Sequence, residues 1–87
     1  MNIINIIKQK LIIFNPKKIE IIDESYKHIG HEGAKNGGGH FFLTIVSSSF
    51  YKKSTIERHR MIYVALGGMI GRDIHALSIK AYTPEEI

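Results

Sequence analysis

His40-Phe41-Phe42-Leu43-Thr44-Ile45-Val46-Ser47-Ser48-Ser49, followed by Ser54-Thr55-Ile56-Glu57, is the stretch on which the fold turns. Phe41, Leu43 and Ile45 alternate with Phe42, Thr44 and Val46, the period of a strand, and the serine run ends it. Ser54 and Glu57 have the spacing of a capping box, in which the hydroxyl and the carboxylate each satisfy an amide at the start of a helix. In the helix so opened, His59, Ile62, Tyr63, Leu66 and Met69 line one face. Gly67 and Gly68 weaken its end and Gly71 terminates it. From Ile74 to Tyr82, Leu77, Ile79 and Ala81 alternate with Ser78, Lys80 and Tyr82, giving a third strand. A strand-helix-strand unit returns parallel to the strand it left, so this third strand is expected to run alongside the second.

Upstream, Ile19, Ile21 and Ile22 begin a β-branched run that predicts a first strand reaching about Lys27. It precedes the second strand directly and is expected to be antiparallel to it. Ile3, Ile7, Leu11 and Phe14 recur on one helical face, and Asn15-Pro16 ends that helix, roughly residues 2–14. Thr83-Pro84-Glu85-Glu86 reads as the start of a last short helix. The order helix, strand, strand, helix, strand predicts a single α+β domain over residues 1–87, αββαβ, with a three-stranded mixed sheet.

Composition narrows the function. The 87 residues are enough for one modest core, and 44% hydrophobic with 23% charged residues is a globular balance. There is no cysteine, so disulfides, thiolate nucleophiles and thiolate metal ligands are excluded; any soft-metal chemistry must use histidine and borrow sulfur from elsewhere. A net charge of +4 permits nucleic acid or an acidic partner without demanding either. The N-terminal apolar residues, broken by Asn5 and by Lys8 to Lys10, match neither a targeting segment nor a membrane span, and the chain is read as cytoplasmic.

Three of the 5 histidines, His28, His31 and His40, fall in the glycine-rich stretch between strands one and two. With strand two antiparallel to strand one and parallel to strand three, that stretch and the start of strand three share one end of the sheet. His75 is therefore expected to cluster with His28, His31 and His40 there, as a ligand-bearing loop or as ordinary solvated imidazoles. His59 lies in helical register beside Ile62 and Tyr63 and is read as packed or surface histidine. Its neighbours Arg58 and Arg60 are solvated charge, or sites for a phosphate or a partner's carboxylate.

Asp23-Glu24-Ser25-Tyr26-Lys27-His28, His40-Phe41, Val46-Ser47-Ser48-Ser49-Phe50, Arg58-His59-Arg60-Met61-Ile62-Tyr63 and Ile74-His75-Ala76-Leu77-Ser78-Ile79 resemble, in order and spacing, the BolA family over nearly the whole chain. The resemblance implies a class II KH-like fold with helices on one face of the sheet, and partnership with a monothiol glutaredoxin around a shared [2Fe-2S] cluster. In some members it also implies transcriptional control. By position His75 matches the family's C-terminal histidine and His28 its variable loop ligand, for which His31 can substitute. Gly67-Gly68-Met69-Ile70-Gly71 departs from the more acidic helix end of the family.

Two neutral imidazoles can replace two thiolates on one iron, as in Rieske centres. His75 with His28 or His31 is thus the expected metal-binding set, with a glutaredoxin cysteine and glutathione supplying sulfur; the isolated chain, expected to be a monomer, carries no cofactor. The alternative is nucleic-acid binding through Lys52, Lys53, Arg58, Arg60 and Arg72, although the Gly-x-x-Gly clamp of KH domains is not evident between helices. No nucleophile, phosphate loop or convincing carboxylate pair suggests an enzyme; Asp23-Glu24 and Glu85-Glu86 are read as diverging or solvated.

Overall fold

A computed structural model describes residues 2–25 and 39–87. Helix α1 spans Ile3–Leu11, with Asn2 capping it by accepting from the Ile4 amide, and tightens into a 3-10 turn at Ile12–Phe14. Asn15 then adopts a left-handed conformation (φ 47°), which turns the chain into strand β1, Lys18–Asp23. Strand β2 is Gly39–Val46, helix α2 is Thr55–Leu66 and strand β3 is Ile74–Tyr82, so the αββαβ order holds.

The sheet order is β1-β2-β3, with β1 antiparallel and β3 parallel to β2. Phe41, Leu43 and Ile45 of central β2 face the helices, opposite Ile21 and Ile19 of β1 and Leu77, Ile79 and Ala81 of β3. Ile7, Leu11 and Phe14, with Ile62 and Leu66 of α2, Phe50, Met69 and Ile74, complete one apolar core. Both helices thus cover the same face, because each offers an apolar stripe that only this side of the sheet can bury. Among the described residues no helix is long and apolar enough to cross a membrane.

Two boundaries differ from the sequence expectation. Strand β1 ends at Asp23, short of Lys27; Asp23 Oδ1 accepts from the Ser25 amide at 2.9 Å, and this local turn competes with further pairing. Residues 26 and 27 of the expected strand lie outside the described residues. Helix α2 stops at Leu66 rather than near Gly71, because Gly67 takes a positive φ (55°) and its amide closes on the Tyr63 carbonyl. Met69 is therefore buried from a 3-10 turn, Gly67–Met69, and Tyr63 is 40% exposed instead of lining the core. The capping box of Ser54 and Glu57 forms as read, with bonds of 3.1 and 2.8 Å.

Candidate functional site

The start of β3 and the start of β2 meet at one end of the sheet, and the register slips there. Gly39 sits opposite Ile74, whereas His40 sits opposite Ala76, leaving His75 as the extra residue of a bulge. Burial follows: Ile74 is buried, His75 and Ala76 are exposed, and Leu77 turns inward again. The imidazoles of His40 and His75 consequently come together, with ring centroids 5.1 Å apart and planes inclined by 46°.

Short-range bonds hold this end. The His40 amide donates to Ser25 Oγ at 3.0 Å, and its carbonyl accepts from the Glu24 amide at 2.7 Å. The Gly39 amide donates to the Asp73 carbonyl at 2.9 Å, tying β2 to the turn before β3. Hydrogen bonds from Ser25, side chain first and then backbone, hold the Asp23 carboxyl below its ordinary pKa. Asp23, Ser25, Phe41, Arg72 and Asp73 line an open cavity of about 410 Å³ with Asn2 and Ile3 of the α1 start, on the helix-covered side of the sheet.

Of the histidines read as ligands, His75 lies at this end as expected; His28 and His31 lie outside the described residues. His40, which the sequence places near the cluster but to which it gives no ligand role, is the imidazole found beside His75. Its signal was strand polarity alone, since a parallel β3 must start where β2 starts. Among the described residues no group of three or more His, Cys, Asp or Glu is arranged to hold a metal. The donor set suits an ion that takes nitrogen from this chain and its remaining ligands from elsewhere, because imidazole nitrogens are here without sulfur.

The basic residues do not sit together. Arg72 lies in the turn before β3, at the histidine end, 3.5 Å from Asp73. Lys52 and Lys53 follow the far end of β2, roughly 20 Å away along the strand. Arg60 borders an apolar groove with Ile13, Phe14, Met61, Val64 and Ala65. Arg58, read from sequence as solvated or partner-binding, is engaged within the chain by Glu86 at 2.6 Å. His59 is half-buried in α2.

The family model described as BolA-like protein matches residues 11–86. The chain belongs to the BolA family. It is 42% identical over 78 residues to SufE-like protein 1, chloroplastic/mitochondrial, of Arabidopsis thaliana, covering 84% of this chain and 21% of that protein. It is 37% identical over 81 residues to the DNA-binding transcriptional regulator BolA of Escherichia coli (strain K12), covering 92% of this chain and 74% of that one. The fold superposes on the solved BolA domain of SufE1 from Arabidopsis thaliana with a TM-score of 0.85 and 40% identity, over 100% of this chain and 99% of that one. The BolA domain thus accounts for the whole described architecture, while the chain spans only about a fifth of the SufE-like relative.

Proposed function

We infer that this BolA-family chain is a cytoplasmic partner of a monothiol glutaredoxin and shares a [2Fe-2S] cluster with it. The supporting observation is the bulge that leaves His75 exposed at a sheet end already carrying a second imidazole. His75 supplies one nitrogen to an iron, and the loop histidine, His28 or His31, supplies another; with no cysteine of its own, the chain depends on the glutaredoxin thiolate and glutathione for sulfur. Such a cluster supplies one-electron redox chemistry and transferable iron and sulfide. The test is iron-sulfur reconstitution of the chain with a monothiol glutaredoxin and glutathione, read by visible absorption and complex mass. A stable coloured complex whose spectrum changes in His75→Ala supports the reading; no complex, or an unchanged spectrum, overturns it.

A second reading is nucleic-acid binding, favoured by the similarity to the Escherichia coli relative, named a DNA-binding transcriptional regulator. Lys52 and Lys53 at one end of the sheet and Arg72 at the other would contact phosphates separately, giving electrostatic binding that weakens steeply with salt. Electrophoretic titration of duplex DNA at two salt concentrations tests it; a flat salt response removes this reading.

A further inference from the structure

We propose that the groove between the end of α1 and the outer side of α2 docks an amphipathic helix of another protein, one whose apolar stripe is flanked by Asp or Glu. The inference goes beyond the cluster reading and shares no residue with it. Ile13, Phe14, Arg60, Met61, Val64 and Ala65 line the groove, which measures about 390 Å³ and is apolar apart from Arg60. The fold leaves its walls in water: Ile13 is 70% and Val64 80% exposed. Large apolar side chains facing one another across a groove mark a contact surface, unlike single exposed residues. The floor is firm. Phe14 is buried, its ring packs against that of Phe50 at a centroid distance of 5.4 Å, and its carbonyl accepts from Ser47 at the end of β2.

Charge selects the occupant. No acidic residue precedes Glu20, while Lys8, Lys10, Lys17 and Lys18 are exposed on α1 and just after it. On α2 Arg60 is exposed; Glu57, the one acid of that helix, is held by the Ser54 amide, and Arg58 is taken up by Glu86. The groove is therefore bordered by cations in excess of acids, which suits carboxylates on a partner. A second copy would set lysine-flanked faces of two chains, each of net charge +4, against one another. Shape selects a helix. Arg60 with Val64, and Met61 with Ala65, are i, i+4 pairs that form two ridges along α2, and a third helix seats between such ridges and the end of α1. A bilayer would instead meet a convex apolar face. The groove lies on the helix side of the sheet and is tied through Phe14 to the end of β2, so a docked helix leaves the start of β2, with His40 and His75, open.

The experiment selects a displayed library of random peptides of about 16 residues, roughly four helical turns, against the full chain. Enrichment is expected for apolar residues at i, i+3 or i+4 and i+7 with Asp or Glu beside them. A synthetic copy of the most enriched peptide is then titrated into the chain by fluorescence anisotropy. Val64→Asp, a change at an exposed position, should weaken binding by more than about tenfold, and Arg60→Glu should slow association, as should added salt with the native chain. No enrichment of that pattern, or a selected peptide that binds folded Val64→Asp as it binds the native chain, overturns the proposal. Should Val64→Asp fail to fold, the native chain decides: peptide-induced amide shifts that miss Ile13, Met61 and Val64 overturn it equally. Sedimentation of the chain alone and with phosphatidylserine vesicles checks the other occupants. A dimer or a vesicle complex that Val64→Asp disperses overturns the proposal in favour of a second copy or a membrane. No glutaredoxin or iron is present, so failure here leaves the cluster reading standing, and a failed reconstitution leaves the docking groove standing.

Discussion

Arg58, in the first turns of α2, grips Glu86, 28 residues further along, with two parallel hydrogen bonds: Nη1 to Oε1 at 2.6 Å and Nη2 to Oε2 at 3.1 Å. The same guanidinium donates to the Lys53 carbonyl through Nε and to the Ala81 carbonyl through Nη1, each at 2.9 Å. Glu86 Oε1 also accepts from the Thr83 amide at 2.7 Å. Arg58 therefore clasps the entry to α2, the end of β3 and the final 3-10 turn, Pro84–Glu86, in one planar fork.

The clasp carries a pH signature. Arg58, and after it the Thr83 amide, hold the Glu86 carboxyl down to about 2 from an ordinary 4.5. A carboxyl lowered on folding stabilises the native state above its unfolded pKa, and that contribution fades as pH falls from about 4.5 towards 2. Glu86→Gln should lower the Tm at pH 7, and the gap to the native chain should narrow below about pH 4.5 and close by about 2. Melting curves across that range check it, and a gap that does not change with pH would rule out the ion pair as its cause. High salt should narrow the gap at pH 7, because both groups reach solvent.

Gly39→Ala should destabilise the histidine end specifically. A Cβ there would stand 2.6 Å from Phe41 Cζ and closer still to Cε2, and Phe41 is a core residue only 5% exposed. Its ring must shift, at a cost of about 1–3 kcal/mol. Denaturant unfolding reads the loss, and the His40 and His75 imidazole resonances should move while those of His59 stay in place.

Ser47 is fully buried, and its hydroxyl donates to the Phe14 carbonyl at 2.5 Å while accepting from the Ser49 amide at 3.0 Å. Ser47→Ala strands that amide and weakens the link between the end of α1 and the end of β2. The expected loss is about 1–3 kcal/mol, held to the lower part of that range by Ser49 Oγ, which also reaches the Phe14 carbonyl at 3.3 Å. Ser47→Cys, keeping a weak donor, should lose less in the same urea titration.

His75→Ala and His59→Ala should part company. His75 is exposed between Ile74 and the half-buried Leu77, so its removal should change the stability of the apo chain by less than about 0.5 kcal/mol. His59 is half-buried in α2, and its truncation should cost about 0.5–1.5 kcal/mol through lost packing. Chemical denaturation of both, beside the spectra of their reconstituted glutaredoxin complexes, separates a ligand from a packing residue. Equal stability losses with equal spectra would remove the distinction.

The sequence alone determined the element order, the capping box at Ser54 and Glu57, and the helix-facing set Phe41, Leu43, Ile45, Leu77 and Ile79, because periodicity and caps are local and each residue carries its own signal. Strand direction followed from connection length, so the meeting of β2 and β3 at the histidine end was legible too. The BolA resemblance rested on the same local strings, Arg58 to Tyr63 and Ile74 to Ile79, which fall within the matched residues 11–86. Only the tertiary structure decided that His40 is the imidazole beside His75, since that depends on a one-residue slip in the pairing of two strands, and a slip leaves no mark on either strand's alternation. Arg58 and Glu86 were hidden for a like reason: each reads as a solvated charge within its own turn, and what pairs them is the return of β3 to the start of α2.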